Sequence, residues 1–109
     1  MDFGTLKNEV IDRLKPLGLD KVILFGSYAN GTFHSESDLD LYVVTKDDYV
    51  PKSWREKNQL YLKVSRALRD LREQTPIDLI VHTRKMHETF RESNGSFYRN
   101  DISKGISLI

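Results

Sequence analysis

The sequence contains no cysteine. That excludes disulfides and thiolate metal sites, and it fits a reducing compartment. Charge of one sign is also missing: 17 Lys and Arg stand against 16 Asp and Glu, for a formal net charge of +1. No whole-molecule field of that size draws a chain onto a nucleic-acid backbone. Long apolar runs are absent too. The longest are short, such as "VILF" at 22–25 and "LIV" at 79–81, far below the length of a membrane span. The opening "MDFGTLKNEV" is charged and lacks the apolar core of a secretion signal. These absences predict a cytoplasmic protein with neither a membrane nor a nucleic acid as partner.

What is present suits a single domain over 1–109. Hydrophobic residues make up 39% of the chain, enough for a small core, and charged residues make up 30%, which fits a solvated surface. A core this small is buried only modestly, so a further layer from a partner is compatible with the length. Thr5 precedes Leu6, Val10, Ile11 and Leu14 at helical spacing, and Pro16 with Gly18 stops that helix. "KVILF" (21–25) is a β-branched apolar run and predicts a buried strand. A short polar turn or helix closed by Gly31 follows, then a second strand, "LDLYVVT" (39–45). Pro51 breaks the next loop. Ser53 and Glu56 have capping-box spacing, so a helix starts there with Leu60, Val64, Ala67, Leu68 and Leu71 on its apolar face. Thr75-Pro76 ends it. "IDLIVHT" (77–83) is the third strand, 84–93 reads as helix, Asn94-Gly95 breaks it, and helical turns run on toward Lys104. The apolar tail "ISLI" is expected to pack or pair. The class is α/β or α+β, with a small mixed sheet and flanking helices.

The chemistry concentrates in "LFGSYANGTFHSESDLDLYVV" (24–44). Asp38 and Asp40 are two apart at a strand start, so they share a face with Cα atoms about 6.6 Å apart. Carboxylates so placed repel and raise one another's pKa unless a cation sits between them. Hard oxygen ligands suit Mg²⁺, and a pair of ions ~3.5–4 Å apart fits such a ledge. Asp78 is second in its own apolar strand, where packing gains nothing from a carboxylate. If that strand neighbours the second, Asp78 faces Asp38 and Asp40. Gly26 and Ser27 end the first strand, where a glycine lets phosphate approach the backbone and a serine adds a hydroxyl donor. The plainer reading of Asp-x-Asp alone is a solvated strand start, and of Asp78 alone a cap beside Pro76; the combination is what points to a site.

In that combination the chain resembles the nucleotidyltransferase fold of the DNA polymerase β superfamily: "FGS", then "SDLDL", then "DLIVHT" for the later strand carboxylate. Within it the chain is similar to the minimal nucleotidyltransferases, small bacterial and archaeal proteins often paired with HEPN-domain partners. The resemblance runs from about Val22 to the C-terminus and includes "ISKGISLI". It implies ATP or another NTP as substrate and two Mg²⁺ ions. It implies Gly26 and Ser27 as nucleotide-binding residues and Asp38 and Asp40 as metal ligands. Asp78 becomes the third carboxylate, on the metal and able to take the acceptor's proton. The implied activity is AMP transfer from ATP to a hydroxyl, a tyrosine, of a HEPN-domain toxin, with this chain as antitoxin. One departure is Asn30, where many relatives carry a basic residue; Asn30 supplies no positive charge to a phosphate.

Two rivals share the motif. Antibiotic-modifying nucleotidyltransferases carry extra sequence for the drug. A non-catalytic module would neutralise a toxin by contact alone. A template-directed polymerase would need finger and thumb elements and a basic excess. Elsewhere, His34 reads as a loop histidine, His82 and His87 as structural or exposed, and Tyr42 as half-buried without a special role. The basic helix from Ser53 reads as a solvated face, since Arg66 with Asp70 and Arg69 with Glu73 have i,i+4 spacing.

Overall fold

The computed structural model of the chain describes residues 2–34 and 36–109. Its helices are α1 (Phe3–Leu14), α2 (Ser27–Asn30), α3 (Trp54–Ala67), α4 (Arg69–Arg72) and α5 (Arg84–Ser93). Its strands are β1 (Lys21–Phe25), β2 (Leu39–Thr45), β3 (Ile77–Thr83) and β4 (Ile106–Ser107). The sheet order is β3-β2-β1-β4. β1 runs antiparallel to both β2 and β4, while β2 and β3 are parallel. A parallel pair needs a crossover, and α3 with α4 supplies it. The expected small mixed sheet with flanking helices is what forms, and the "ISLI" tail pairs with β1.

Strand alternation divides the core into two layers. One sheet face presents Val22, Leu24, Leu39, Leu41, Val43 and Val81 to Leu6, Val10 and Leu14 of α1 and to Val64, Leu68 and Leu71 of the crossover. The other presents Ile23, Phe25, Tyr42, Val44 and Ile80 to Phe90 of α5 and to Tyr98 and Ile102 of a π-helical turn, Tyr98–Ile102. β2 is central and buried on both faces, which is why it reads as an almost unbroken apolar run.

Local chemistry sets the ends. α1 begins earlier than the Thr5 position suggested, because the Asp2 carboxylate accepts the Thr5 N–H at 2.8 Å. Ser53 caps α3 by accepting from the Glu56 N–H, while the Glu56 carboxylate accepts from Lys52 N–H, one residue before the reciprocal position of a full capping box. Asn94 closes α5 in the left-handed region at φ 50. The crossover helix breaks at Leu68, with φ −102 and ψ 6. That break falls between Arg66 and Asp70 and removes the i,i+4 geometry expected for them, and Arg69–Glu73, beyond the break, is not among the ion pairs of the described residues either. Asp70 instead accepts two hydrogen bonds from Arg13 of α1, at 2.8 and 2.9 Å, which hold its carboxyl down to about 2. Arg13 also pairs with Glu9.

Tyr42 is fully buried rather than half-buried, and it has a role. Its hydroxyl lies 2.8 Å from Nδ1 of His82 and 2.8 Å from Nδ1 of His87. A tyrosine has one proton to donate, so one imidazole accepts it and the other donates to the phenol oxygen. Burial lowers both imidazoles, His82 to about 4, so both are neutral at pH 7. Tyr42→Phe leaves two ring nitrogens without their partner in the core. The expected cost is about 1–3 kcal/mol, seen in urea unfolding as a lower midpoint with an unchanged m-value.

Candidate active site

Three strand ends meet at one edge of the sheet. Antiparallel pairing sets Phe25, the last residue of β1, opposite Asp40 near the start of β2. Parallel pairing sets Asp40 beside Asp78 near the start of β3. The Leu39 N–H donates to the Pro76 carbonyl at 2.9 Å, which ties the two starts together. Asp40 and Asp78 are therefore lateral neighbours on one face, and Asp38, just ahead of β2, is near enough for its charge to act on Asp40. The register agrees with the sequence expectation that Asp78 neighbours Asp40, while Asp38 precedes β2 and has no register partner. Asp38 and Asp78 are exposed; Asp40 is half-buried.

Gly26 presses directly on this ledge. It adopts φ 75 and ψ −153, a region reserved almost wholly for glycine. A Cβ there would overlap Asp40 Oδ2. Backbone and carboxylate thus share space that any other residue would fill. Ser27 follows as the first residue of α2, a single turn closed by Gly31.

Asp40 carries the electrostatic strain. Burial pushes its carboxyl up to about 6, and the charges of Asp78, Asp38 and Asp101 with a hydrogen bond to Asp78 add to it. Asp101 was not picked out from the sequence. It belongs to the π-helical turn, and only tertiary packing brings it near the ledge. An open cleft of about 410 Å³ also escaped sequence reasoning. Tyr28, Phe33, His34, Ser37, Thr75 and Pro76 line it, so its wall includes the residue before Asp38 and the loop that leads into β3. Tyr28 and Phe33 stack there at 4.6 Å and 9°, backed by Phe3. His34, read as a loop residue, is on this wall, and its Nδ1 accepts the Glu36 N–H.

A family model described as polymerase beta, nucleotidyltransferase matches residues 8–101. The chain belongs to that family. Among similar proteins is a candidate protein adenylyltransferase of Methanocaldococcus jannaschii, MJ0141, 55% identical over 29 residues. That match spans 27% of this chain and 29% of the relative. A chain of a toxin–antitoxin assembly crystallised with AMP-PNP superposes with a TM-score of 0.56 at 24% identity, over 94% of this chain and 72% of its own. A chain of the toxin–antitoxin pair MntA–HpeT superposes with a TM-score of 0.54 at 23% identity, again over 94% and 72%. That second protein is a mutant in which two aspartates two positions apart are replaced by glutamate. The two structures establish likeness of fold.

Polymerase beta nucleotidyltransferases imply divalent metal. The donor set fits: Asp38, Asp40 and Asp78 offer only hard carboxylate oxygens, Asp40 and Asp78 are side by side, and Asp40 is pushed up by burial and by the neighbouring negative charge. Among the described residues no three acidic or imidazole side chains are already gathered into a metal cage. Asp40 and Asp78 on adjacent strands, with Asp38 just ahead of β2, form a ledge with two carboxylates solvated, not a closed site.

The raised Asp40 carboxyl gives a signed pH effect. With 3.8 in the unfolded chain and about 6 in the fold, the native state holds a proton that the unfolded chain has released. The associated stability is present below about pH 4 and lost as pH rises through about 6. Asp40→Asn is neutral throughout. In EDTA the melting temperature of Asp40→Asn should exceed that of wild type at pH 8, and the gap should shrink toward pH 4. His82 works with opposite sign in the same window, but it is common to both proteins and cancels. A gap independent of pH contradicts the assignment.

Proposed function

We propose that this chain is a metal-dependent nucleotidyltransferase that moves AMP from ATP to a hydroxyl, a tyrosine, of a partner protein, and that it is the antitoxin of a HEPN-domain toxin. The observation that carries the reading is the register that sets Asp40 beside Asp78, with Asp38 close by and Gly26 packed against Asp40. The family supports nucleotidyl transfer. The named activity of the Methanocaldococcus relative and the AMP-PNP complex of a structural neighbour favour ATP and a protein acceptor.

Asp38, Asp40 and Asp78 would hold two Mg²⁺ ions, which when bound supply charge neutralisation for the polyphosphate and polarise the reacting oxygens. The chain's own residues do the rest. Gly26 lets its backbone lie against the Asp40 carboxylate, and the Ser27 hydroxyl that follows it donates to a phosphate held at the ledge. The acceptor oxygen forms a bond to the α-phosphorus while the bond from that phosphorus to the bridging oxygen breaks. Pyrophosphate leaves with the electron pair, and the hydroxyl proton passes to the Asp78 carboxylate. The cleft between Phe33 and Pro76 gives a side chain from another protein an approach to this edge. Holding the acceptor in line within about 3–3.5 Å supplies several kcal/mol of the barrier reduction, and on this reading the docked partner provides it.

Intact-mass measurement tests the proposal. A HEPN-domain protein from the same genome, incubated with ATP, Mg²⁺ and this chain, should gain about 329 Da or multiples of it, as transfer with loss of pyrophosphate requires. Asp40→Asn should slow the gain roughly a thousandfold, the equivalent of about 4 kcal/mol at 1.36 kcal/mol per tenfold. Tight binding and neutralisation without any mass change would favour the non-catalytic module.

A further inference from the structure

Between Lys21 and Lys46 the chain has no lysine or arginine. α2 has no basic residue, and Asn30 ends it. The ledge itself is acidic: Asp38, Asp40 and Asp78, with Asp101 close enough to act on Asp40. A nucleoside triphosphate brings several more negative charges to this edge. Cationic help from the protein must come from a distant part of the chain.

A second cleft, of about 300 Å³, shows where. It is lined by Gly26, Ala29, Asn30, Asn100, Asp101 and Lys104. It opens beside the ledge, since Gly26 touches Asp40 and Asp101 acts on Asp40. Lys104 is the one cation in its wall, it is exposed, and it makes no ion pair among the described residues, Asp101 included. The backbone on either side of Lys104 is anchored. Ile102 is buried at 2% exposure. Gly105 lies so close to β1 that a Cβ would come within 2.5 Å of Ile23 Cγ2 and 2.7 Å of the Leu24 carbonyl. Ile106 then pairs with Leu24. A long, flexible side chain is thus mounted on a fixed rim of the cleft that Gly26 and Asn30 also line. The amides of Asn30 and Asn100 add neutral donors.

We propose that Lys104 is the phosphate-neutralising cation of this site, holding the β- and γ-phosphates of the nucleotide and then the departing pyrophosphate. The inference rests on the nucleotidyl-transfer reading. As the bond from the α-phosphorus to the bridging oxygen breaks, the electron pair stays on pyrophosphate, and Lys104 meets that growing charge. A lysine brought by the C-terminal segment thereby does what Asn30 cannot.

Calorimetry with Mg²⁺ present and three probes, ATP, inorganic pyrophosphate and AMP, tests the assignment on wild type, Lys104→Gln and Lys104→Arg. Lys104→Gln should weaken ATP and pyrophosphate about tenfold and leave AMP within twofold, because AMP lacks the phosphates Lys104 contacts. Lys104→Arg should recover most of the loss. An equal loss for all three probes would mark Lys104 as structural and overturn the proposal. So would unchanged ATP and pyrophosphate affinity in Lys104→Gln, with nucleotidyl transfer left standing. A wild type that binds neither ATP nor pyrophosphate would bring down the nucleotidyl-transfer reading itself, and the role of Lys104 with it.

Discussion

Negative charge gathered at one sheet edge is the constraint on which the rest of the structure depends. Asp40 is half-buried beside Asp78, with Asp38 and Asp101 near, and its carboxyl is pushed up to about 6. A fold does not collect carboxylates for stability, since each raises the cost of ionising the others. Such clusters persist where a ligand repays them, and perturbed carboxyls in a cleft are therefore functional candidates. Gly26 shows the same cost in the backbone. It holds a conformation only glycine tolerates, and it does so against Asp40 Oδ2.

The topology is what turns separated residues into one ledge. An antiparallel hairpin returns the chain so that the end of β1 meets the start of β2. A parallel crossover then brings the start of β3 to the start of β2. Neither pairing alone would place Gly26, Asp40 and Asp78 together. The helices that permit both are held by the two cores on either face, and Arg13–Asp70 fastens α1 to the broken crossover helix. The second core is partly polar: Tyr42, His82 and His87 form a neutral hydrogen-bonded set beneath α5.

Much of this was legible in the sequence because the signals are local. β1, β2 and β3 begin and end where apolar runs meet Gly26, Asp38 and Pro76, and α5 ends where Asn94 takes a left-handed turn. Asp38, Asp40 and Asp78 stand out because carboxylates at strand starts have no packing reason to be there. The residues that escaped depend on long-range placement. Asp101 sits in a π-helical turn far along the chain with no motif of its own, and Lys104, though inside "ISKGISLI", carries no local sign that it faces the ledge. Arg13 and Asp70 are 57 residues apart, and the local i,i+4 spacing of Asp70 with Arg66 pointed elsewhere. Tyr42 joins His82 and His87 only once β2, β3 and α5 have packed. The cleft beside Ser37 is formed by α2 and two loops that no local pattern relates.

The central claim is that the ledge accepts a polyphosphate only when a divalent cation compensates its carboxylates. Asp38, Asp40 and Asp78 repel phosphate, and a hard cation reverses that repulsion. Titration calorimetry of wild-type protein with ATP, once in excess Mg²⁺ and once in EDTA, is the direct measurement. The account predicts saturable binding with Mg²⁺ and at least a tenfold loss, more than about 1.4 kcal/mol, without it. Equal affinity in the two buffers would contradict it.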